Sequence, residues 1–256
     1  MQIKGSSVLL TGASGGLGEA IARDLHAKGA SLVLTARRAE VLERLAAELD
    51  AEVLVADLAD RADVERVAAR AATCDVLVAN AGVGNDPTLD DLDEDQIDFV
   101  IEVNLRAPIV LAHAFAKAKM AAGKQGAIVL VWSLSGLAAS PGTRMYNATK
   151  FGLRGFSLSF AQELEGTGVT CSLVAPGFIR DAGMFHDGGV ELPPGVRTKS
   201  PQDVAVGVAT AITKAPAEVF VSPVELRLAS TFATVAPGVS AAIMRRMGVA
   251  DRVADR

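Results

Sequence analysis

The chain has 256 residues, half of them apolar and 4% aromatic, so it is long enough to bury a full core as one α/β domain spanning 1–256. Its net charge of −5, with no run rich in Lys and Arg, excludes a nucleic-acid surface, which needs clustered positive charge. Two cysteines, Cys74 and Cys171, are too few and too isolated for a disulfide framework or a zinc site, and their apolar neighbours mark them as core thiols in a reducing cytoplasm.

In chain order the pattern alternates strand and helix. Ser7 to Leu10 reads as a short apolar strand, followed by the turn Thr11-Gly12-Ala13-Ser14-Gly15-Gly16-Leu17-Gly18 and a helix over 17–28. Glycines there let the backbone approach a pyrophosphate, and the helix N-terminus supplies N–H donors and partial positive charge to hold it. The plainer reading is an ordinary glycine-rich turn, but a strand before, a helix after and a second strand at Ser31 to Ala36 give the motif the context it requires. No basic, apolar leader precedes the first strand.

Cofactor choice is legible where the second strand ends. A carboxylate at that point would accept from the ribose 2′-hydroxyl of NAD, and a cation would pair with the 2′-phosphate of NADP. The strand ends Thr35-Ala36-Arg37-Arg38, so NADP(H) is favoured, with Arg37 first and Arg38 second as the phosphate ligand. NAD(H) stays open, because two exposed arginines can simply start the helix over 39–49.

A third strand, Glu52 to Ala56, leads to Asp57-Leu58, where Asp57 is able to cap the following helix over 62–72. A fourth strand over 75–79 ends at Asn80-Ala81-Gly82. Residues 93–123 read as two helices separated near Asn104 to Pro108, since proline is tolerated in a first turn and not in an interior. The fifth strand, 127–132, delivers Ser133. Tyr146, the only tyrosine, stands four residues ahead of Lys150, which on a helix puts both on one face, about 40° apart. An ammonium within about 4 to 6 Å lowers a phenol by roughly 1 to 3 units toward the working range of an acid/base catalyst. That helix runs to about Glu165. A sixth strand, 169–175, precedes Pro176-Gly177-Phe178-Ile179. The Gly- and Pro-rich stretch 180–200, with Met184, Phe185, His186 and Leu192, reads as a lid over an uncharged substrate. A helix starting at Ser200, a last strand over 218–221 and two short helices divided at Pro237-Gly238 complete the chain. These last helices cover the core or a partner subunit; contact with a membrane surface is the sharper alternative.

Gly12, Asp57, Asn80, Ser133 and Pro176 each follow a strand, so five segments converge on the crevice beyond the strands' carboxyl ends. The glycine turn, Asn80-Ala81-Gly82, Asn104, Ser133, Tyr146 to Lys150 and Pro176-Gly177 resemble, in order and spacing, the short-chain dehydrogenase/reductase family over about residues 6 to 222. The resemblance implies a Rossmann-like, doubly wound parallel sheet of about seven strands with helices on both faces. It implies catalytic roles for Asn104, Ser133, Tyr146 and Lys150, with Asn104 distorting its helix and holding a relay water. It places Gly12, Ser14, Gly15, Gly16, Leu17, Gly18, Arg37, Arg38, Asp57, Leu58, Asn80, Ala81, Gly82, Tyr146, Lys150, Pro176, Gly177 and Ile179 around the dinucleotide, with no metal. Asp181 stands where the family has Thr, which puts carboxamide positioning by that side chain in doubt. Gly152 and Gly155 would let helices of a homodimer or homotetramer pack closely, or serve the core just as well. The implied reaction is hydride transfer between nicotinamide and a small-molecule carbonyl/secondary alcohol pair. The rival reading is a dinucleotide-binding regulatory protein without turnover.

Overall fold

The computed structural model describes residues 1–84, 91–139, 141–183 and 197–246. Its centre is a seven-stranded sheet with every neighbouring pair parallel: β1 (Ser7–Thr11), β2 (Ser31–Ala36), β3 (Glu52–Val55), β4 (Val76–Ala79), β5 (Gly126–Val131), β6 (Val169–Pro176) and β7 (Glu218–Val221), in the order β3-β2-β1-β4-β5-β6-β7. Alternation along each strand divides the core. Val8, Leu10, Leu34 and Val78 face α1 (Gly16–Ala27), α2 (Ala39–Leu49) and α7 (Pro201–Lys214). Leu9, Leu77, Ile128 and Leu130 face α3 (Arg61–Ala71), α5 (Ala107–Ala121) and α6 (Arg144–Glu163). Each of these fully buried side chains contributes roughly 2 kcal/mol, which makes the central strands a firm platform for the turns at their ends. This is a doubly wound, Rossmann-like fold. Its strand order reverses between β1 and β4, the switch point at which such sheets bind ligands.

Local chemistry sets the boundaries. Ser200 and Asp203 form a capping box at the start of α7. Asp60, accepting from Ala62 and Asp63, caps α3, so the capping role open to Asp57 belongs instead to a residue three positions on. Pro108 falls in the first turn of a helix, as expected, but no gap precedes it. Residues 94–121 run on without a break, as α4 (Glu94–Ile101), a π-turn (Glu102–Arg106) and α5. Proline cannot donate to the carbonyl of Asn104 four residues back, and widening the preceding turn to i→i+5 bonds lets the helix pass that defect. Among the described residues this is the one helix long and apolar enough to cross a membrane; its Leu111, Ala112, Phe115 and Ala116 are buried against the sheet. Two further helices, α8 (Val224–Val235) and α9 (Pro237–Arg246), follow β7 and divide at Pro237 as the sequence implies.

Candidate active site

A cleft of about 320 Å³ opens at the switch point, walled by the ends of β1 to β4. Its floor is made by backbone packed on backbone. Gly12 has φ +67°, and a Cβ there would stand 2.8 Å from Ala81 Cα. On Gly18 a Cβ would overlap the carbonyl oxygen of Gly12 and lie 2.8 Å from Ala13 Cα. Only glycine satisfies both places. Gly15 is the N-cap of α1 and offers no side chain to its first N–H groups, leaving those donors for an anion in the cleft. Asn80 and Ala81 both donate their backbone N–H to Thr11 Oγ1 at 3.0 Å, while Asn80 Nδ2 donates to the carbonyls of Thr11 and Gly12 at 3.2 and 3.3 Å. Thr11 thus ties β1 to β4. The sequence reading quoted it in the glycine motif and gave it no role, although a hydroxyl at a strand end is the signal for such a tie.

At the far rim, Arg38 donates to the carbonyl and hydroxyl oxygens of Ser14, bracing the glycine turn. Arg37 also lines the cleft and is exposed. Leu58 is buried on the same side, and Asp57 Oδ1 accepts from Ala59 N at 3.0 Å.

The other wall gathers the residues singled out for catalysis. A Cβ on Gly82 would stand 3.3 Å from Asn104 Oδ1 and 3.6 Å from Lys150 Nζ, so these three residues meet. Asn104 is fully buried in the π-turn. Its Oδ1 accepts from Val83 N at 2.7 Å, and its Nδ2 donates to Val83 O at 2.8 Å and to Thr149 Oγ1 at 3.4 Å. Thr149 in turn donates to the Tyr146 carbonyl at 2.9 Å, a link between the π-turn and α6 that the sequence reading missed. The Asn104 side chain is thereby engaged in structure, and Pro108, four residues on, has no N–H to offer its main-chain carbonyl.

Ser133 closes β5 in extended backbone, accepts from Ser135 N at 3.2 Å and is hydrogen-bonded to Tyr146. Burial pushes the Tyr146 phenol above its ordinary range, and the Ser133 bond opposes it in part. This corrects the expectation that Lys150 pulls the phenol down. The ammonium lies over the ring face, 5.4 Å from its centroid, and donates to Val131 O at 3.4 Å. Lys150 is itself desolvated, and its pKa falls to about 8.

On the β6 side, Pro176 ends the strand, Gly177 N donates to Val221 O at 3.0 Å, and Ile179 is buried and bridged to Lys199. Asp181 adopts φ +68° and turns its carboxylate, 70% exposed, to Arg180 at 3.3 Å, away from any neutral hydrogen-bonding role of the kind a Thr would have. Gly183 reaches back over Leu17 to line the same cleft as the glycine turn. Met184, Phe185, His186 and Leu192 lie outside the described residues.

The family profile for short chain dehydrogenase matches residues 6–189. Nodulation protein G of Rhizobium sp. (strain N33) is 41% identical over 187 residues, which cover 71% of this chain and 76% of that protein. The 3-oxoacyl-(acyl-carrier-protein) reductase FabG of Rickettsia conorii (strain ATCC VR-613 / Malish 7) is 35% identical over 182 residues, 70% and 75% of the two chains. Among solved structures, a metagenomic short-chain oxidoreductase in complex with NADP superposes with a TM-score of 0.72 at 36% identity, covering 87% of this chain and 99% of that one.

Proposed function

Because this chain belongs to the short-chain dehydrogenase/reductase family and is an NAD(P)-dependent oxidoreductase, we propose that it interconverts a carbonyl and a secondary alcohol, using NADP(H) in preference to NAD(H). The observation that carries this reading is the Ser133–Tyr146 hydrogen bond standing beside Lys150, Asn104 and Gly82 at the ends of β4 and β5. The relative's substrate, a 3-oxoacyl group, falls within the same carbonyl class.

The cleft fits a dinucleotide. Its glycine floor would be filled by any Cβ, and the uncapped start of α1 suits a pyrophosphate. Arg37 and Arg38 stand where a carboxylate would select NAD, and a structural relative is in complex with NADP. The bound nicotinamide supplies or accepts the hydride. Ser133 donates to the substrate oxygen as negative charge grows there, and Tyr146 gives that oxygen its proton. Burial holds Tyr146 protonated through neutral pH, which suits an acid in the reductive direction; the oxidative direction, which needs phenolate, gains as pH rises. Lys150 orients the nicotinamide ribose, and the Asn104 carbonyl anchors the water that returns protons to the site. We take 1–256 as one domain whose core is 6–222.

Oxidation of NADPH and NADH over a panel of ketones and aldehydes tests the reading. Tyr146→Phe should lower kcat by about 10²- to 10⁴-fold and leave NADPH affinity in place. Near-normal turnover in that variant would remove Tyr146 from the chemistry. No turnover by the wild type with any carbonyl, alongside tight NADPH binding, would favour the regulatory reading.

A further inference from the structure

We propose that α8 and α9 form a docking surface for an anionic lipid bilayer. Ten large apolar side chains are exposed among the described residues, and six of them lie between 224 and 243: Val224, Leu228, Phe232, Val235, Val239 and Ile243. On α8 the first four recur at spacings of four, four and three, which confines them to an arc of about 80°. They are far from marginally exposed: Val224 is 68%, Leu228 64% and Val235 80% accessible. Val239 and Ile243, one turn apart, are likewise exposed on α9.

The opposite face of α8 fastens it to the body. Leu226 packs at the Gly177 turn, Ser230 is buried, Arg227 stacks 4.0 Å over the Phe220 ring, and Thr234 Oγ1 donates to Leu137 O at 2.7 Å. Glu225 pairs with Arg197 at 2.7 Å. The apolar arc is therefore held outward by contacts on the other side of the same helix, and it does not serve the core.

Charge selects the occupant. Residues 224–246 carry a net of +2 in a chain of net −5, and with Arg227 stacked on Phe220 and Glu225 paired with Arg197 the charges left beside the stripe are Arg245 and Arg246. Arg245 and Arg246 are exposed at the end of α9, within one turn of Ile243. An apolar stripe bordered by arginines is the composition that settles at a headgroup boundary and gains from anionic lipid. Two copies of the same positive segment facing one another would repel.

Cosedimentation of the full chain with phosphatidylglycerol/phosphatidylcholine vesicles, and with phosphatidylcholine alone, tests this, with light scattering in parallel. Binding to the anionic vesicles only, weakened as salt shortens the Debye length from about 10 Å toward 3 Å, is expected. Leu228→Asp with Phe232→Asp should lower partitioning by about tenfold or more, and Arg245→Glu with Arg246→Glu by about tenfold, each with an unchanged melting temperature. Failure to bind any vesicle overturns the proposal, and if the aspartates then dissociate an oligomer, the stripe is an interface between copies. Vesicle binding untouched by both pairs overturns it equally.

Discussion

Around Gly12 the main chain packs on main chain, with Gly18 against the Gly12 carbonyl and Asn80 and Ala81 both hydrogen-bonded to Thr11. Along α8 the only buried residue is Ser230, and Val224, Leu228, Phe232 and Val235 point outward while Leu226 packs inward. The first region is determined from within: every contact that fixes it comes from this chain, so few residue types are admissible. The second is held by one face and leaves the other without a partner in the fold. Substitution should therefore be costly at the glycine turn and cheap in α8 and α9, where the effects belong to what the surface meets.

Gly18→Ala should have the largest effect. Its methyl would press on backbone atoms that no side-chain rotation can clear, so the cost falls at the upper end of overpacking, about 3 kcal/mol or more. For a chain of this size that is a fall in melting temperature of about 6 to 12 °C, accompanied by loss of NADPH binding measured by fluorescence. Gly238→Ala on α9 has nothing within 4 Å and should change stability by less than about 0.5 kcal/mol. Equal losses at the two glycines would break the contrast.

Thr11→Val comes next. It keeps the shape and removes the acceptor shared by two N–H groups, each costing about 1 to 3 kcal/mol when left unpaired, for a combined loss of about 2 to 6 kcal/mol in urea unfolding. Thr11→Ser should recover most of it. A neutral Thr11→Val would mean that the β1–β4 junction is held by the strands alone.

Lys150→Met sharpens the comparison from the opposite side, because the catalytic wall carries a group that the fold would be more stable without. The folded protein binds the Lys150 proton less tightly than the unfolded chain, with a pKa of about 8 in place of 10.5. Below pH 8 both states hold the proton and the folded state bears the whole penalty of the buried charge; as pH rises from 8 to 10.5 the penalty is relieved and stability climbs. At pH 7 the methionine variant should gain on the order of 1 to 3 kcal/mol, lose that pH slope, and lose turnover. A variant no more stable than wild type would show that Lys150 is better solvated than its surroundings indicate.

The same contrast governs what could be read from the sequence. Gly12, Gly18 and Asn80 to Gly82 were legible because backbone geometry admits few residue types there, and all of β2 and α2 followed from periodicity. Pro108 was legible as a first-turn residue of α5, but the π-turn that joins α4 to α5 without a gap is a tertiary accommodation that no propensity encodes. Asp57 and Asp60 are equally good caps by type, and only the path of the chain after β3 decides between them. Thr149 was invisible because its value lies in meeting Asn104, 45 residues away. The Tyr146 pKa was misjudged for a related reason: helical spacing fixes that Lys150 is near, and depth of burial decides whether the phenol rises or falls.

Gly155→Ala has the smallest expected effect and bears on an exposed face of α6. Gly155 lies inside α6 on an exposed face, with nothing within 4 Å of where a Cβ would stand, whereas at Gly152 a Cβ would come within 3.2 Å of Leu105. Alanine exceeds glycine in helix interiors by about 1 kcal/mol, so Gly155→Ala should raise the melting temperature by about 2 to 4 °C. Gly152→Ala must push Leu105 in the π-turn and should gain less. Melting at several protein concentrations, with light scattering, separates the chain's own contribution from that of a second copy. A gain independent of concentration means that solvent covers Gly155; a loss that grows on dilution means that a neighbouring helix approaches so closely there that a methyl group has no room.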